Sequence, residues 1–441
     1  MIVLKFGGTS VGGPEPIRRL GEIVRRALPR RPVVVVSAVG GVTNRILALV
    51  ERAAAGAEFE SALAALEDTH RTILRELELD PKLLDALLAE LSGLVRGIAL
   101  VRERTPRTTD AAASFGERLS VRIVAAHLVH ANIPARAFDA WDAGLLTDAR
   151  HGAARPTQES DASIRRALAN VDVVPVITGY IGKDAAGEIT TLGRGGSDYS
   201  GAIFGAALDA EEIQIWTDVD GVMTADPRIV KGAKHVRAMS FAEAAELAFF
   251  GAKVLHPATM APAVRKGIPI RVLNSFAPEQ PGTIVGGPRE TTAGTVRSIA
   301  HKDHIAVVNV VAAPMLLQFG FLERVADVFA RHEIVVDMIA TTEVSLALST
   351  EPGARLEPAI AELARFSEVN VVRDVALVSV VGEGLREKLD AAATVLATLA
   401  ELRVQVEMIS YGATRNNLSL VVPGARVREV VAALHARLFE T

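Results

Sequence analysis

The sequence predicts an α/β protein: a mainly parallel sheet covered by helices, followed by two small α+β modules. Three observations carry this reading. Short strands that are apolar on both faces alternate with helical stretches through the first two-thirds of the chain, as in a parallel sheet covered on both sides. The last third repeats itself, Ile305 onward resembling Val375 onward and Val336 onward resembling Val406 onward, each about 70 residues apart. The length, 441 residues, is too great for one ordinary core, and 49% hydrophobic residues suffice to fill several.

The expected strands are Ile2–Phe6, Val33–Val36, Ala135–Phe138, Val173–Thr178, Glu212–Trp216 and Ile270–Leu273. Helical stretches lie between them near Pro16–Leu28, Val42–Ala55, Asp110–Val129, Ser197–Leu208 and Phe241–Phe250. Ser240, with Glu243 three residues later, is a capping-box start signal for the last of these. The Ala- and Leu-rich stretch 58–100 holds no strand pattern and reads as a helical insertion beside the sheet. Residues 1–285 thus form the expected first domain, and the Gly-, Pro- and Thr-rich stretch 286–298 a linker. Two modules follow, 299–370 and 371–441, each reading as strand–helix–strand–strand, with the first strand of one free to pair with the other. Each alone has little core, so side-by-side pairing is expected.

Charges nearly balance, 48 basic against 52 acidic with a net of −4, which gives no electrostatic reason to expect a nucleic-acid or membrane partner. The chain has no cysteine, which excludes disulfides, thiolate catalysis and cysteine metal sites and fits a cytoplasmic protein. The N-terminus reads as a strand running into a turn, not as a signal peptide.

Five places carry chemistry. In Lys5-Phe6-Gly7-Gly8-Thr9-Ser10 a strand delivers a lysine into a glycine turn, where backbone N–H groups can approach an anion; taken alone, such a turn is more often only a turn. Ser37-Ala38-Val39-Gly40-Gly41-Val42-Thr43-Asn44 also follows a strand, and ligands gather at such strand ends in open α/β sheets; a Ser/Gly loop that leads into a helix is the plainer reading. Phe115-Gly116-Glu117-Arg118-Leu119-Ser120 puts a glycine inside a helix at a cost of about 1 kcal/mol; Glu117 beside Arg118 reads equally as an exposed ion pair. Gly193-Arg194-Gly195-Gly196-Ser197-Asp198 leads into a helix of small residues. Its N-terminus can hold an anion, Arg194 can grip a carboxylate with two parallel hydrogen bonds, and Asp198 sits at the positive end of the dipole. No Gly-Lys-Ser/Thr ending makes it a Walker loop, and Asp198 stands where the dinucleotide fingerprint needs glycine. Trp216-Thr217-Asp218-Val219-Asp220-Gly221, continuing to Asp226-Pro227-Arg228, is an acidic loop after a buried strand, suited to the edge of a Mg-nucleotide or to a turn.

Taken together these motifs, with Gly251-Ala252-Lys253-Val254-Leu255-His256-Pro257-Ala258-Thr259 after them, resemble the aspartate kinases over essentially the whole chain. The resemblance implies the amino-acid-kinase fold followed by two ACT-like modules. It is nearest to the monofunctional, lysine-sensitive type, given Val335-Val336-Asp337-Met338-Ile339 and Val344-Ser345. It implies that Lys5 and Asp198 are catalytic, Lys5 meeting the transferring phosphate with the Gly7 and Gly8 backbone. It gives aspartate to Ser37, Thr43, Glu117, Arg194, Gly195, Gly196 and Ser197, with Arg194 on the α-carboxylate and Glu117 on the ammonium. Thr217, Asp218, Met223, Arg228, Lys253 and Val254 would hold the nucleotide, Met223 standing where the family often has tyrosine. Met315, Gly320, Phe321, Leu322, Val336, Asp337, Thr341 and Thr342 would form a site for feedback lysine. The implied partners are L-aspartate, ATP with a Mg2+ ion brought by the nucleotide, lysine, and a second copy in a homodimer or larger homo-oligomer joined through the modules. No protein-built metal site is expected. Two other readings are a kinase of this fold acting on another acid and a non-catalytic amino-acid sensor. Arg194 with Glu117 favours an amino-acid zwitterion over the first, and intact Lys5, Arg194 and Asp198 speak against the second.

Overall fold

The computed structural model describes residues 1–249, 255, 257–287, 296–311, 320–383, 385–387, 389–411 and 415–440. The chain divides into two compact units, one of residues 1–221, 237–241 and 254–289, the other of 222–236, 242–253 and 290–441. The division departs from a single boundary near 285, because 222–236 and 242–253 group with the C-terminal unit. Ala225 and Val230 belong to the hydrophobic core of the second repeat. Thr224 hydrogen-bonds His435 (2.9 Å), and Glu243 accepts the Glu383 amide (2.9 Å).

The strands of the first unit are β1 (Ile2–Phe6), β2 (Pro32–Val36), β3 (Ala135–Phe138), β4 (Val174–Thr178), the hairpin β5 (Ile181–Lys183) and β6 (Ile189–Thr191), β7 (Glu212–Thr217), β8 (Ala238–Met239), β9 (Ile270–Asn274) and β10 (Thr283–Val285). Eight form one sheet in the order β3-β4-β2-β1-β7-β9-β10-β8. It is parallel from β3 to β9, and the β9–β10 pair is antiparallel. The short strands β5, β6, β8 and β10 lacked an apolar run long enough to be read from sequence. Every residue of β1, β2 and β4 is buried, as a sheet covered on both faces requires.

The helices of this stretch are α1 (Pro14–Ala27), α2 (Val42–Ala54), α3 (Glu60–Glu76), α4 (Asp85–Val101), α5 (Pro106–His130), α6 (Ser160–Leu168), α7 (Gly196–Ala207), α8 (Phe241–Phe249) and α9 (Pro257–Lys266). The insertion is the pair α3 and α4, whose Leu66, Leu74, Leu91 and Val95 join the same core as β1 and β2. Helix α5 starts four residues before the expected Asp110. Thr105 caps it, exchanging hydrogen bonds with Thr108, and Pro106 takes the first helical position.

The second unit contains β11 (Ser298–Val311), α10 (Phe321–Arg331), β12 (Val336–Thr341), β13 (Ser345–Thr350), α11 (Leu356–Leu363), β14 (Glu368–Val381), α12 (Leu389–Leu402), β15 (Met408–Tyr411), β16 (Asn417–Pro423) and α13 (Val427–Phe439). Each repeat carries a second helix beyond the expected strand–helix–strand–strand. The repeats are not two separate sandwiches: they share one antiparallel sheet in the order β12-β13-β11-β14-β16-β15, with β11 and β14 paired at its centre. Among the described residues no helix is long and apolar enough to cross a membrane.

Helix α7 lies close against the sheet because it carries glycine at 201 and 205. A β-carbon at Gly201 would lie 3.1 Å from Lys5 Cβ, and one at Gly205 would lie 2.5 Å from Ile213 Cγ1. Gly205→Ala should therefore destabilise the protein by about 1–2 kcal/mol, overpacking outweighing the helix-propensity gain. Urea denaturation measures this, and a stabilised variant would contradict the close-packing account.

Candidate active site

In the first unit β1 lies beside β7, and the connection after β1 runs to β2 on one side while that after β7 leads to β9 on the other, a switch point where α/β sheets bind ligands. The ends of β1, β2 and β7 deliver three of the five motifs there. Lys5 is the fourth residue of β1 and only 7% exposed. Its ammonium lies 2.6 Å from Asp198 Oδ1, in the first turn of α7. Gly7 donates its amide to the Trp216 carbonyl (3.0 Å). A β-carbon at Gly7 would sit 3.6 Å from Lys5 Nζ, and one at Gly8 would sit 3.1 Å from the Ala38 carbonyl. Glycines therefore leave the ammonium uncovered and let the Gly7–Gly8 turn pack on the Ala38–Gly40 loop, a cradle that fits a phosphate.

Ser37 donates its amide to the Phe6 carbonyl (3.1 Å), joining the two loops. Against this loop lies α5, and Gly116 is the reason it can come so close: a β-carbon there would meet Ala38 Cβ at 2.8 Å and Thr43 Oγ1 at 3.4 Å. The mid-helix glycine thus has a packing cause. The exposed ion pair between Glu117 and Arg118 does not form. Both residues are buried. Arg118 turns to Glu90 of α4 (3.0 and 3.2 Å) and packs over the Phe115 ring, while Glu117 turns inward. Its Oε1 accepts the Ala38 amide (3.1 Å), and its Oε2 is buried without a hydrogen-bond partner. Burial pushes the Glu117 carboxyl up to about 8, against the opposing pull of the Ala38 amide and the Lys5 charge. An unsatisfied buried carboxyl oxygen is a place for a cationic donor.

At the fourth motif Gly193 (φ 78°) and Gly195 (φ 72°) take left-handed backbone that favours glycine. Gly195 is the N-cap of α7, so the Gly196 and Ser197 amides fall in its first turn. Gly196 packs on Tyr180, and Ser197 on Gly179 at the end of β4. The Arg194 side chain is exposed, and among the described residues it has no hydrogen bond or ion pair. At the end of β7, Thr217 donates its hydroxyl to the exposed Asp218 (3.1 Å).

Met223 and Arg228 belong to the second unit. The Met223 carbonyl accepts from Ser298, and Arg228 is exposed and bonded to Asp226 through Nη2 (2.6 Å). Lys253 and Val254 lie outside the described residues, as does Met315. Of the other residues of the expected regulatory site, Gly320 caps α10 with φ 83°, Phe321 is buried behind it and Leu322 is exposed. Val336, Asp337 and Thr341 lie on β12, where the Asp337 carboxylate pairs with Lys302 (2.8 Å). The Thr342 hydroxyl is taken up by the turn into β13, within hydrogen-bond distance of the Ser345 hydroxyl (2.7 Å).

Asp110 was legible only as the start of a helix. It is buried and accepts from the Thr191 amide and hydroxyl (2.9 and 2.7 Å) and from the Gly152 amide (2.9 Å), fastening β6 and the 150–152 loop to α5. Its partners are 42 and 81 residues away, so no local motif marks it. A groove of about 660 Å3 runs from Asn44 and Glu51 past Arg104 to Asp110 and His151, and none of Lys5, Glu117, Arg194 or Asp198 lines it. Among the described residues no group of three or more His, Asp or Glu is placed to hold a metal ion.

This sheet and site define a kinase of the amino acid kinase class: a model of the amino acid kinase family matches residues 1–274, and one of the ACT domain matches 378–438. The chain is 38% identical to the lysine-sensitive aspartokinase 3 of Escherichia coli, over all of this chain and 99% of that protein. It is also 38% identical to the chloroplastic aspartokinase 1 of Arabidopsis thaliana, over all of this chain and 80% of that protein. The crystal structure of E. coli aspartokinase III with aspartate and ADP (R-state) matches with a TM-score of 0.83 at 35% identity, all of both chains covered. The form with lysine and aspartate (T-state) matches with 0.85 at 35% identity, covering all of this chain and 99% of that one. The chain belongs to the aspartokinases, and it is an aspartate kinase with ACT regulation.

The raised Glu117 pKa has a pH signature. The folded protein keeps a proton that the unfolded chain releases above about pH 4.5. Its stability should therefore fall as pH rises from about 4.5 towards 8. Glu117→Gln should flatten that decline in denaturation measured across this range; an unchanged slope would mean that Glu117 is ionised.

Proposed function

We propose that this enzyme transfers the γ-phosphoryl group of ATP to the side-chain carboxylate of L-aspartate, giving 4-phospho-L-aspartate, and that lysine inhibits it through the C-terminal modules. The observation that carries the catalytic part is the Lys5–Asp198 pair at 2.6 Å, at the glycine-lined switch point beside the unsatisfied Glu117 oxygen. A carboxylate attacks phosphorus without a general base, so positioning and charge neutralisation are what the protein must supply. Lys5 takes the transferring phosphate with the Gly7 and Gly8 amides, and Asp198 holds Lys5. Arg194, with no partner among the described residues, takes the α-carboxylate, helped by the Gly195, Gly196 and Ser197 backbone. Glu117 takes the ammonium, and its proton leaves as that charge arrives; Ser37 and Thr43 line the same pocket.

Thr217, Asp218, Met223, Arg228, Lys253 and Val254 hold the nucleotide. Mg2+ comes with it and supplies further neutralisation; the exposed Asp218 carboxylate suits the waters such an ion keeps. Residues 1–285 are the catalytic domain, 286–298 the linker, and 299–370 and 371–441 the two ACT modules, through which two copies pair. Lysine as the effector is supported by the similarity to the E. coli enzyme solved with lysine and aspartate. The effector site is formed by Met315, Gly320, Phe321, Leu322, Val336, Asp337, Thr341 and Thr342, with Asp337 on an ammonium.

ADP release dependent on aspartate tests the activity. Lys5→Ala should slow turnover about 100-fold, equivalent to about 3 kcal/mol of lost transition-state stabilisation; turnover within threefold of the parent enzyme, with the fold intact, would remove Lys5 from the mechanism. Titration with lysine, threonine and methionine tests the regulation. Lysine should inhibit and Asp337→Ala should abolish that inhibition, whereas inhibition by threonine with no response to lysine would overturn the effector assignment.

A further inference from the structure

The first repeat contains an ammonium site that is already filled by the chain itself. Lys302 Nζ lies 2.8 and 3.0 Å from the two Asp337 oxygens and 2.9 Å from Glu351 Oε1. The Asp337 side chain is 6% exposed, whereas Glu351 is 71% exposed. Both partners of the buried contact sit where their strands break register. On β12 the pairing with β13 jumps between Val336 and Met338, leaving Asp337 at the irregularity. On β11 the pairing with β14 jumps just after Lys302, where His304 takes a φ of 54°. Such irregularities re-aim side chains, and here two of them, on strands separated by β13, converge on one ion pair. Burial raises the Asp337 pKa against the pull of Lys302, so a cation is what keeps this carboxyl ionised.

We propose that the Lys302 ammonium is an internal stand-in for the effector's ammonium, so that a ligand reaches Asp337 only by exchanging with Lys302. This rests on the reading of Asp337 as an ammonium-binding residue of the regulatory site. The exchange is chemically balanced: Lys302 gives up Asp337 but keeps its contact with the exposed Glu351, and the incoming ammonium restores the charge on Asp337. It also selects the ligand. A ligand that brings an ammonium can replace Lys302, whereas one without a cationic group would leave the buried carboxylate uncompensated. Lys302 therefore sets how tightly the effector binds and requires that it carry an ammonium.

Calorimetric titration of lysine into the full-length protein tests this. Lys302→Met, which keeps the aliphatic stem and removes the competitor, should bind lysine about tenfold more tightly than the parent. Lys302→Arg keeps the charge but grips the carboxylate with a planar fork, and should bind lysine about fivefold more weakly. This second variant preserves the ion pair and decides the matter if the first fails to fold. Equal affinities in the parent and in the folded Lys302 variants, with binding lost in Asp337→Asn, would overturn the exchange while leaving the regulatory site in place. Undiminished lysine binding by Asp337→Asn would instead overturn the reading of Asp337, and the exchange with it.

Discussion

The ion pair between Lys5 and Asp198 exists only because α7 can lie almost in contact with β1. Gly201 faces the Lys5 stem at a distance that leaves no slack for a side chain, and Gly205 does the same against Ile213 on β7. With the helix held there, its first turn brings Asp198 to the lysine. Farther out, the helix would leave Lys5 as an unpaired buried cation, at a cost of several kcal/mol. The glycines at 193 and 195 set the direction from which the chain enters α7, and Gly179 and Gly196 let the turn after β4 close against it. The site is thus assembled by omitted side chains as much as by those present.

Glu117 shows the electrostatic side of the same economy. It is kept neutral by burial, while Lys5 and Asp198 cancel one another. The pocket therefore carries little net charge beyond the exposed Arg194, and the Glu117 Oε2 in it is buried without a hydrogen-bond partner among the described residues. On the proposed function, a zwitterion would supply a carboxylate for Arg194 and an ammonium for Glu117. Specificity of this kind comes from groups left unpaired until the right ligand arrives.

In the second unit the duplication does more than double a module. Pairing β11 with β14 across fourteen-residue strands makes one sheet of two small cores, each of which would be marginal alone. Lys302 sits at a register break of this long pairing, and Asp337 at one between β12 and β13. A regular ladder would have fixed both side chains by strict alternation.

The sequence by itself determined the alternation of buried strands and helices, the repeat, and the motifs at the strand ends. Each depends on periodicity or on neighbours within a few residues, and the strand limits at Ile2–Phe6 and Ala135–Phe138 were legible to the residue. The first half of β11 was not legible, because His301-Lys302-Asp303-His304 carries no apolar alternation and is held by partners distant in sequence. Nor did local spacing distinguish Glu117 as an inward, neutral carboxyl from Glu117 as half of a surface ion pair. That was decided by Glu90, from an insertion 28 residues upstream, which draws Arg118 away, and by the Ala38 amide, 79 residues upstream, which draws Glu117 in. Asp110 with Thr191 and Lys302 with Asp337 are of the same kind: their meaning lies in partners 81 and 35 residues distant. Which charge is buried against which, and so which stays free for a ligand, is fixed by dielectric and distance in the folded chain, quantities that exist only once distant segments have packed together.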